Sequence, residues 1–284
     1  MSLDFLHDRK NIVKYWNKEV VLFPNQKLLS SSLPAATDLI NCFKGNFISG
    51  QWTEPLNVNI NASCINLDGS HQQLLSIGIN DARSCYLNGF SLCFGDMSLG
   101  IDHVAALKAK AVDIFGFSDL IAVTGYLSPP KAIGVLHFDR QHNFFIQREG
   151  TKRWYVSEKA AIKNPHENLV YAGLTQPFLE EMKARGYEIS LPLDCGRNMY
   201  ELNPGDVLYV PPGFYHSPET LGEPSLHYTL TVEPVCFWKD FNKDMFSKLL
   251  SSDGKFFEDY RFLSEYQKSE LTKDCLKLVM NRSE

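Results

Sequence analysis

Long apolar runs are missing from this 284-residue chain. No stretch approaches the ~20 residues that a membrane-spanning helix needs, so a membrane protein is not expected. Cys-x-x-Cys pairs are missing as well. The seven cysteines, Cys42, Cys64, Cys85, Cys93, Cys195, Cys236 and Cys275, are odd in number and widely scattered. That argues against a disulfide framework and for reduced thiols in an intracellular, cytoplasmic protein. Positive charge is in deficit: 28 Lys and Arg against 33 Asp and Glu give a net charge of -5. Such a balance disfavours a nucleic-acid partner held mainly through phosphates. The opening Met-Ser-Leu-Asp-Phe-Leu-His-Asp has no basic stretch leading into an apolar one, so no secretory signal is expected. Internal repeats and low-complexity segments are absent too. What is present, 44% hydrophobic and 21% charged residues, is the composition of a globular protein able to bury a core without disulfide staples.

Residues 4–17 read as a helix with Phe5, Ile12 and Trp16 inward, and Lys18–Phe23 as a short strand. Ser32-Leu33-Pro34 resembles a helix start, for a helix running to about Phe43. Residues 55–67 alternate as a half-buried strand does, and Asn88-Gly89 between apolar runs signals a tight turn. Ile101–Phe115 is amphipathic, with Val104, Leu107, Ala111 and Ile114 at helical spacing. From Leu120 the texture changes to short strands: Ile121–Tyr126, Phe144–Gln147, Arg153–Ser157, Tyr187–Leu191, Asp206–Val210 and Leu226–Val232. Strands at that spacing suggest a sandwich or barrel. Phe237–Leu250 and Phe257–Val279 are again helical in pattern. The expected organisation is supporting helices and strands at 1–118, a mainly β core at 119–236 and a helical appendage at 237–284.

Histidine is scarce, with 8 residues, yet His137-Phe138-Asp139 and the distant His216 form a pattern with chemical content. Two imidazoles and a carboxylate can occupy one face of an iron ion and leave its other positions open. On a strand, His137 and Asp139 face the same way. A His-x-acid pair arises by chance about once in a chain of this composition, so its surroundings decide. Gly205-Asp206-Val207-Leu208-Tyr209-Val210-Pro211-Pro212-Gly213-Phe214-Tyr215-His216 reads as a turn, a strand and a second turn that can deliver His216 to the same point. In 225–233, His227, Thr229, Thr231 and Glu233 alternate with apolar residues, as in a strand lining a cavity.

Gly-Asp-x4-Pro-x-Gly-x2-His is similar to the second motif of cupins. The stretch from His137 to Trp154 resembles the JmjC class of Fe(II)/2-oxoglutarate oxygenases, and within it the asparaginyl hydroxylases and ribosomal oxygenases. Tyr126-Leu127-Ser128-Pro129-Pro130 is similar to the ribosomal-oxygenase branch. The resemblance runs from about Ser91 to Glu233, and more weakly through the first 25 residues. It implies a double-stranded β-helix with N-terminal helices and a C-terminal helical appendage. It also implies iron held by His137, Asp139 and His216, and 2-oxoglutarate as co-substrate with dioxygen. Lys152 and Tyr126 would bind the distal carboxylate of 2-oxoglutarate, and Asn143 would lie near that co-substrate. Thr231 stands where the asparaginyl hydroxylases have a second asparagine. A counter-charge for a buried Lys152 is what a dicarboxylate supplies. His142 is expected in a loop or substrate cleft.

The implied reaction is hydroxylation of a protein or peptide side chain. A small molecule or an RNA base as substrate, and a metal-binding cupin that does not use 2-oxoglutarate, stay open as alternatives. The apolar residues Phe237, Phe241, Phe246, Leu249 and Leu250 suggest a homodimer through the C-terminal helices.

Overall fold

The computed structural model describes residues 9–39, 47–48, 51–52, 59–66, 68–184, 186–235, 259, 261 and 263–280. Along the chain the strands are β1 (Val21–Phe23), β2 (Phe47–Ile48), β3 (Gln51–Trp52), β4 (Ile60–Ile65), β5 (His71–Leu74), β6 (Ser91–Phe94), β7 (Ile121–Ser128) and β8 (His137–Phe138). They continue with β9 (His142–Glu149), β10 (Lys152–Val156), β11 (Leu169–Val170), β12 (Asn198–Leu202), β13 (Val207–Val210), β14 (His216–Thr220) and β15 (Ser225–Val232). An eight-stranded sheet has the order β1-β13-β9-β15-β7-β6-β4-β5, a five-stranded sheet the order β11-β8-β14-β10-β12, and β2 and β3 form a hairpin. The described pairings are antiparallel, and the two larger sheets make the mainly β, double-stranded β-helix architecture.

Alternation explains how the large sheet serves two environments. On β15, Leu226, Tyr228, Leu230 and Val232 enter the main core, while His227, Thr229 and Thr231 line a cavity on the opposite face. On β9, Phe144 and Ile146 enter the same core, while Asn143 and Phe145 line that cavity. The core is covered by helix Asp102–Phe115 through Val104, Leu107, Ala111 and Phe115, with Ile114 only partly buried. A second cluster joins the two sheets: Phe145 stacks on Trp154 at 3.8 Å, with Val156, Leu208, Val210 and Phe214 around them. Burying each such side chain stabilises the fold by about 1.5–3 kcal/mol relative to leaving it in water.

Several local expectations need correction. Tyr187–Leu191 is not a strand: it is irregular backbone held by Tyr187 and Ile189 in a third cluster and by the Ser190 N–H donating to Ala161 O. Asn88-Gly89, by contrast, is a tight turn as expected, and it ends helix Ile79–Leu87 with Gly89 at φ +91°. The helix expected from Ser32 is preceded by one at Lys27–Ser32, and helical backbone resumes at 36–39, after Pro34. Helix Gln176–Ala184 and strand β12 are additional elements, outside those expected from the sequence. Helix Arg9–Tyr15 buries Ile12 and is followed by buried Trp16, as expected. Phe5 and 237–250 lie outside the described residues, and the last helix is Glu265–Met280.

Asp259 ties this C-terminal region to the barrel. It accepts from Trp16 Nε1 at 3.0 Å, from the Val235 N–H at 3.3 Å and from Arg261 Nη1 at 2.9 Å. His142 Nε2 lies 3.1 Å away, and its ring stacks on Trp16 at 3.8 Å. His142 is therefore a buried strand residue facing away from the cavity, not a loop or cleft residue. Burial holds its imidazole below the usual range, so it is neutral near pH 7. Burial alone would raise Asp259, but contacts with His142 and Arg261 outweigh it and hold the carboxyl low. Asp259→Ala removes the buried charge partner of the Arg261 guanidinium and the acceptor of the Trp16 indole N–H, and is expected to cost about 3–5 kcal/mol in urea unfolding at pH 7. Because the folded carboxyl titrates below its unfolded value, the difference from wild type should narrow below about pH 4.

Candidate metal centre

Backbone pairing brings the distant histidines together. His216, the first residue of β14, stands directly opposite His137 on β8. The turn before His216 depends on Gly213, whose φ is +78° and whose Cβ, if it had one, would run into the Ile162 carbonyl oxygen. The Gly213 N–H donates to Asp139 O at 2.8 Å, which clamps that turn to the end of β8. Phe138 points the other way, into the cluster beneath helix Gln176–Ala184. His137 and Asp139 thus share the cavity face, as their spacing requires.

One ligand atom from each of His137, Asp139 and His216 lies within 4.8 Å of the other two. Asp139 Oδ2 is 3.8 Å from His137 Nε2 and 3.4 Å from His216 Nε2. Each imidazole donates from Nδ1 to a carbonyl two residues earlier: Val135 O at 2.9 Å and Phe214 O at 3.0 Å. A carbonyl only accepts, so Nδ1 carries a hydrogen and Nε2 is the ring nitrogen that faces Asp139 and is left for a metal. Burial holds His137 below the usual imidazole range, with help from His216. Burial opposes ionisation of Asp139, yet the histidines and hydrogen bonds prevail and bring it down to about 2. Two imidazole Nε2 atoms and an ionised carboxylate converging on one point are the donor set of a divalent transition metal.

Asn143 Nδ2 donates to Asp139 Oδ2 at 2.7 Å, and Thr231 Oγ1 donates to Asn143 Oδ1 at 3.0 Å. Both residues line the cavity, and together they orient the carboxylate. Lys152 opens β10 and points inward with Trp154, while Arg153 points outward to Glu201 and Glu219. Its ammonium site is buried, and Nζ donates to Ser128 Oγ and His227 Nδ1, each at 3.0 Å. Among the described residues no carboxylate pairs with it. Burial brings Lys152 down to about 7. Tyr126 stacks on His227 with centroids 4.9 Å apart and planes 3° from parallel.

Two cavities meet here. One of about 220 Å³ contains the triad, and one of about 270 Å³ contains Lys152; Tyr126, His137, Pro218 and His227 border both. Thr229 lines the first cavity as its strand pattern implies, whereas nothing in the motifs singles out Ser128 or Trp154 as lining residues. Ser128 shares a strand face with Tyr126, and Trp154 with Lys152, so the period-two rule was the available signal. Asn143→Ala frees the Asp139 carboxylate to rotate. It is expected to weaken Mn(II) binding about 10- to 100-fold by calorimetry, with a smaller loss for Thr231→Val.

The model of the JmjC domain matches residues 107–237. Among curated proteins, the chain is 32% identical over 184 residues to the bifunctional lysine-specific demethylase and histidyl-hydroxylase NO66 of Aedes aegypti, covering 64% of this chain and 26% of that protein. It is 33% identical over 129 residues to ribosomal oxygenase 1 of Rattus norvegicus, covering 44% of this chain and 19% of that protein. It is also 32% identical over 96 residues to the ribosomal protein uL16 3-hydroxylase of Escherichia coli, covering 33% and 20%. The matches thus span a minor part of these relatives' length. Among solved structures, Escherichia coli YcfD superposes with a TM-score of 0.55 at 18% identity, covering 100% of this chain and 69% of that one. With the two-sheet fold and the clustered triad described above, residues 107–237 of this chain are similar to a JmjC domain.

Proposed function

We propose that this chain is an Fe(II)- and 2-oxoglutarate-dependent oxygenase that hydroxylates a protein side chain. The observation that carries the reading is the pairing of the His137-Asp139-His216 cluster with a buried lysine that has no carboxylate partner among the described residues, across adjoining cavities. The first is a site for a divalent metal and the second a site for an anion. A solved structure of YcfD, described as a ribosomal oxygenase, was obtained with cobalt and 2-oxoglutarate. The names of NO66 and of the uL16 3-hydroxylase describe hydroxylation of protein residues, which favours a polypeptide substrate over a small molecule or an RNA base.

His137, Asp139 and His216 would hold the iron, and Lys152 with Tyr126 would meet the distal carboxylate of 2-oxoglutarate. Asn143 and Thr231 would border the co-substrate while fixing Asp139. When bound, the iron and 2-oxoglutarate supply the oxidising chemistry with dioxygen. The chain's own residues do the positioning. Carbonyl-anchored Nδ1 atoms keep both imidazoles directed, with Nε2 of each turned to Asp139. A carboxyl held to about 2 stays free of protons at neutral pH. Stacked Phe145 and Trp154 form a dry wall beside the triad.

A cytoplasmic setting belongs to this reading and is supported by cysteines without redox-motif spacing; no helix among the described residues is long and apolar enough to cross a membrane. A homodimer through the C-terminal helices also belongs to it, resting on the sequence pattern of Phe237, Phe241, Phe246, Leu249 and Leu250.

Succinate release should appear when the protein, with Fe(II) and 2-oxoglutarate, meets the right member of peptide, ribosomal-protein, RNA and metabolite pools, and should vanish in His137→Ala. Activity only on metabolites or RNA would replace the polypeptide substrate. Lys152→Ala should weaken 2-oxoglutarate binding about 10- to 100-fold, the loss of a charge-assisted contact, while Mn(II) binding is retained. Unchanged 2-oxoglutarate binding in that variant would remove Lys152 from the co-substrate site, and metal binding without any 2-oxoglutarate binding by the parent chain would point instead to a cupin that uses its metal without this co-substrate.

A further inference from the structure

The cavity around Lys152 has no carboxylate in its wall. Its titratable groups are Tyr126 on β7, Cys93 on β6, His227 on β15, His71 on β5 and His137 on β8; β14 contributes only Pro218 and Thr220. Cys93 and burial hold Tyr126 well above the usual phenol range, and burial pushes Cys93 up to about 11. Burial and the neighbouring Lys152 hold His227 well below the usual imidazole range. These three groups are therefore uncharged near neutral pH, and none of them can neutralise an ammonium.

The hydrogen-bond count around Nζ agrees with that electrostatic picture. Lys152 has two acceptors, Ser128 Oγ and His227 Nδ1, each at 3.0 Å. A neutral primary amine has two N–H donors and a lone pair, whereas an ammonium has three donors. The acceptors present match the amine. A third donor exists only after protonation, and a carboxylate entering the cavity supplies a charged acceptor for it.

We propose that capture of a dicarboxylate at Lys152 takes up one proton from solvent, with His227 as the positioning residue that holds the resting amine in the cavity. This rests on the co-substrate reading above. The proton adds to the Nζ lone pair and converts the amine into the ammonium that faces the incoming carboxylate. His227 stays neutral and continues to accept from Nζ, and no other bond is made or broken. With the resting amine near 7, affinity for the dicarboxylate falls as pH rises above that value, by up to about tenfold per pH unit, and levels off below it.

The test is calorimetric titration of the full chain, loaded with Mn(II) under anaerobic conditions, with 2-oxoglutarate at pH 8 in phosphate, HEPES and Tris. The slope of the observed enthalpy against buffer ionisation enthalpy counts the protons exchanged. The expected result is uptake of about one proton and an affinity about five- to tenfold weaker at pH 8.5 than at pH 7.5. Binding without proton uptake and with equal affinity at both pH values overturns the coupling and leaves the co-substrate reading standing. No binding at any pH overturns both. His227→Gln keeps a hydrogen-bond acceptor but cannot titrate, so uptake should persist in it. Loss of uptake in that variant would move the proton to the imidazole and overturn the assignment to Lys152.

Discussion

The backbone pairing of His216 with His137 is the constraint on which the candidate site depends. It joins two segments far apart in sequence, and everything that fixes it acts on the backbone: the short β8–β14 ladder, the Gly213 turn, and the Gly213 N–H donating to the Asp139 carbonyl. The side chains then have little freedom left. Each imidazole is tied through Nδ1 to a carbonyl of its own strand entry, and the carboxylate is tied through Asn143 to Thr231 on the opposite sheet. A metal-binding geometry is thus preorganised by main-chain contacts, with one side-chain relay reaching across the cavity.

The second dependence is the two-sidedness of β9 and β15. Phe144 and Ile146 on β9, and Leu226, Tyr228, Leu230 and Val232 on β15, are committed to the main core, which leaves the intervening positions for chemistry. Asn143 and Phe145 on one strand, and His227, Thr229 and Thr231 on the other, are those positions. Their polarity is tolerable because the cavity receives it. Lys152 is the extreme case: a charge-bearing side chain placed at the bottom of a carboxylate-free space, with its pKa brought down by burial.

The strands of the large sheet were legible because their periodicity was enforced by that core. The β15 alternation, the inward face of helix Asp102–Phe115 and the sharp turn before His216 could all be read from residue order. Tyr187–Leu191 was misread because its apolar residues serve a packing cluster, not a ladder, and composition does not distinguish the two. His142 was misread for the opposite reason. Its neighbours in sequence are site residues, while its partners, Trp16 and Asp259, are remote from it along the chain and lie on the other face of the sheet. Lys152 was legible in type but not in orientation, since a strand lysine can face either way; only its partners Ser128 and His227 decide that.

The order of strands also has a consequence for how the molecule comes together in time. β9 sits between β13 and β15 in the sheet, and both are synthesised after it. β8, which carries His137, pairs with β11 and β14, and these too come later. A nascent chain that has exposed His137, Asp139 and Lys152 therefore has no ladder in which to hold them. Non-local pairing of this kind is slow to form. The metal-binding face and the pocket floor arise together, late, when β13 to β15 close on segments already made.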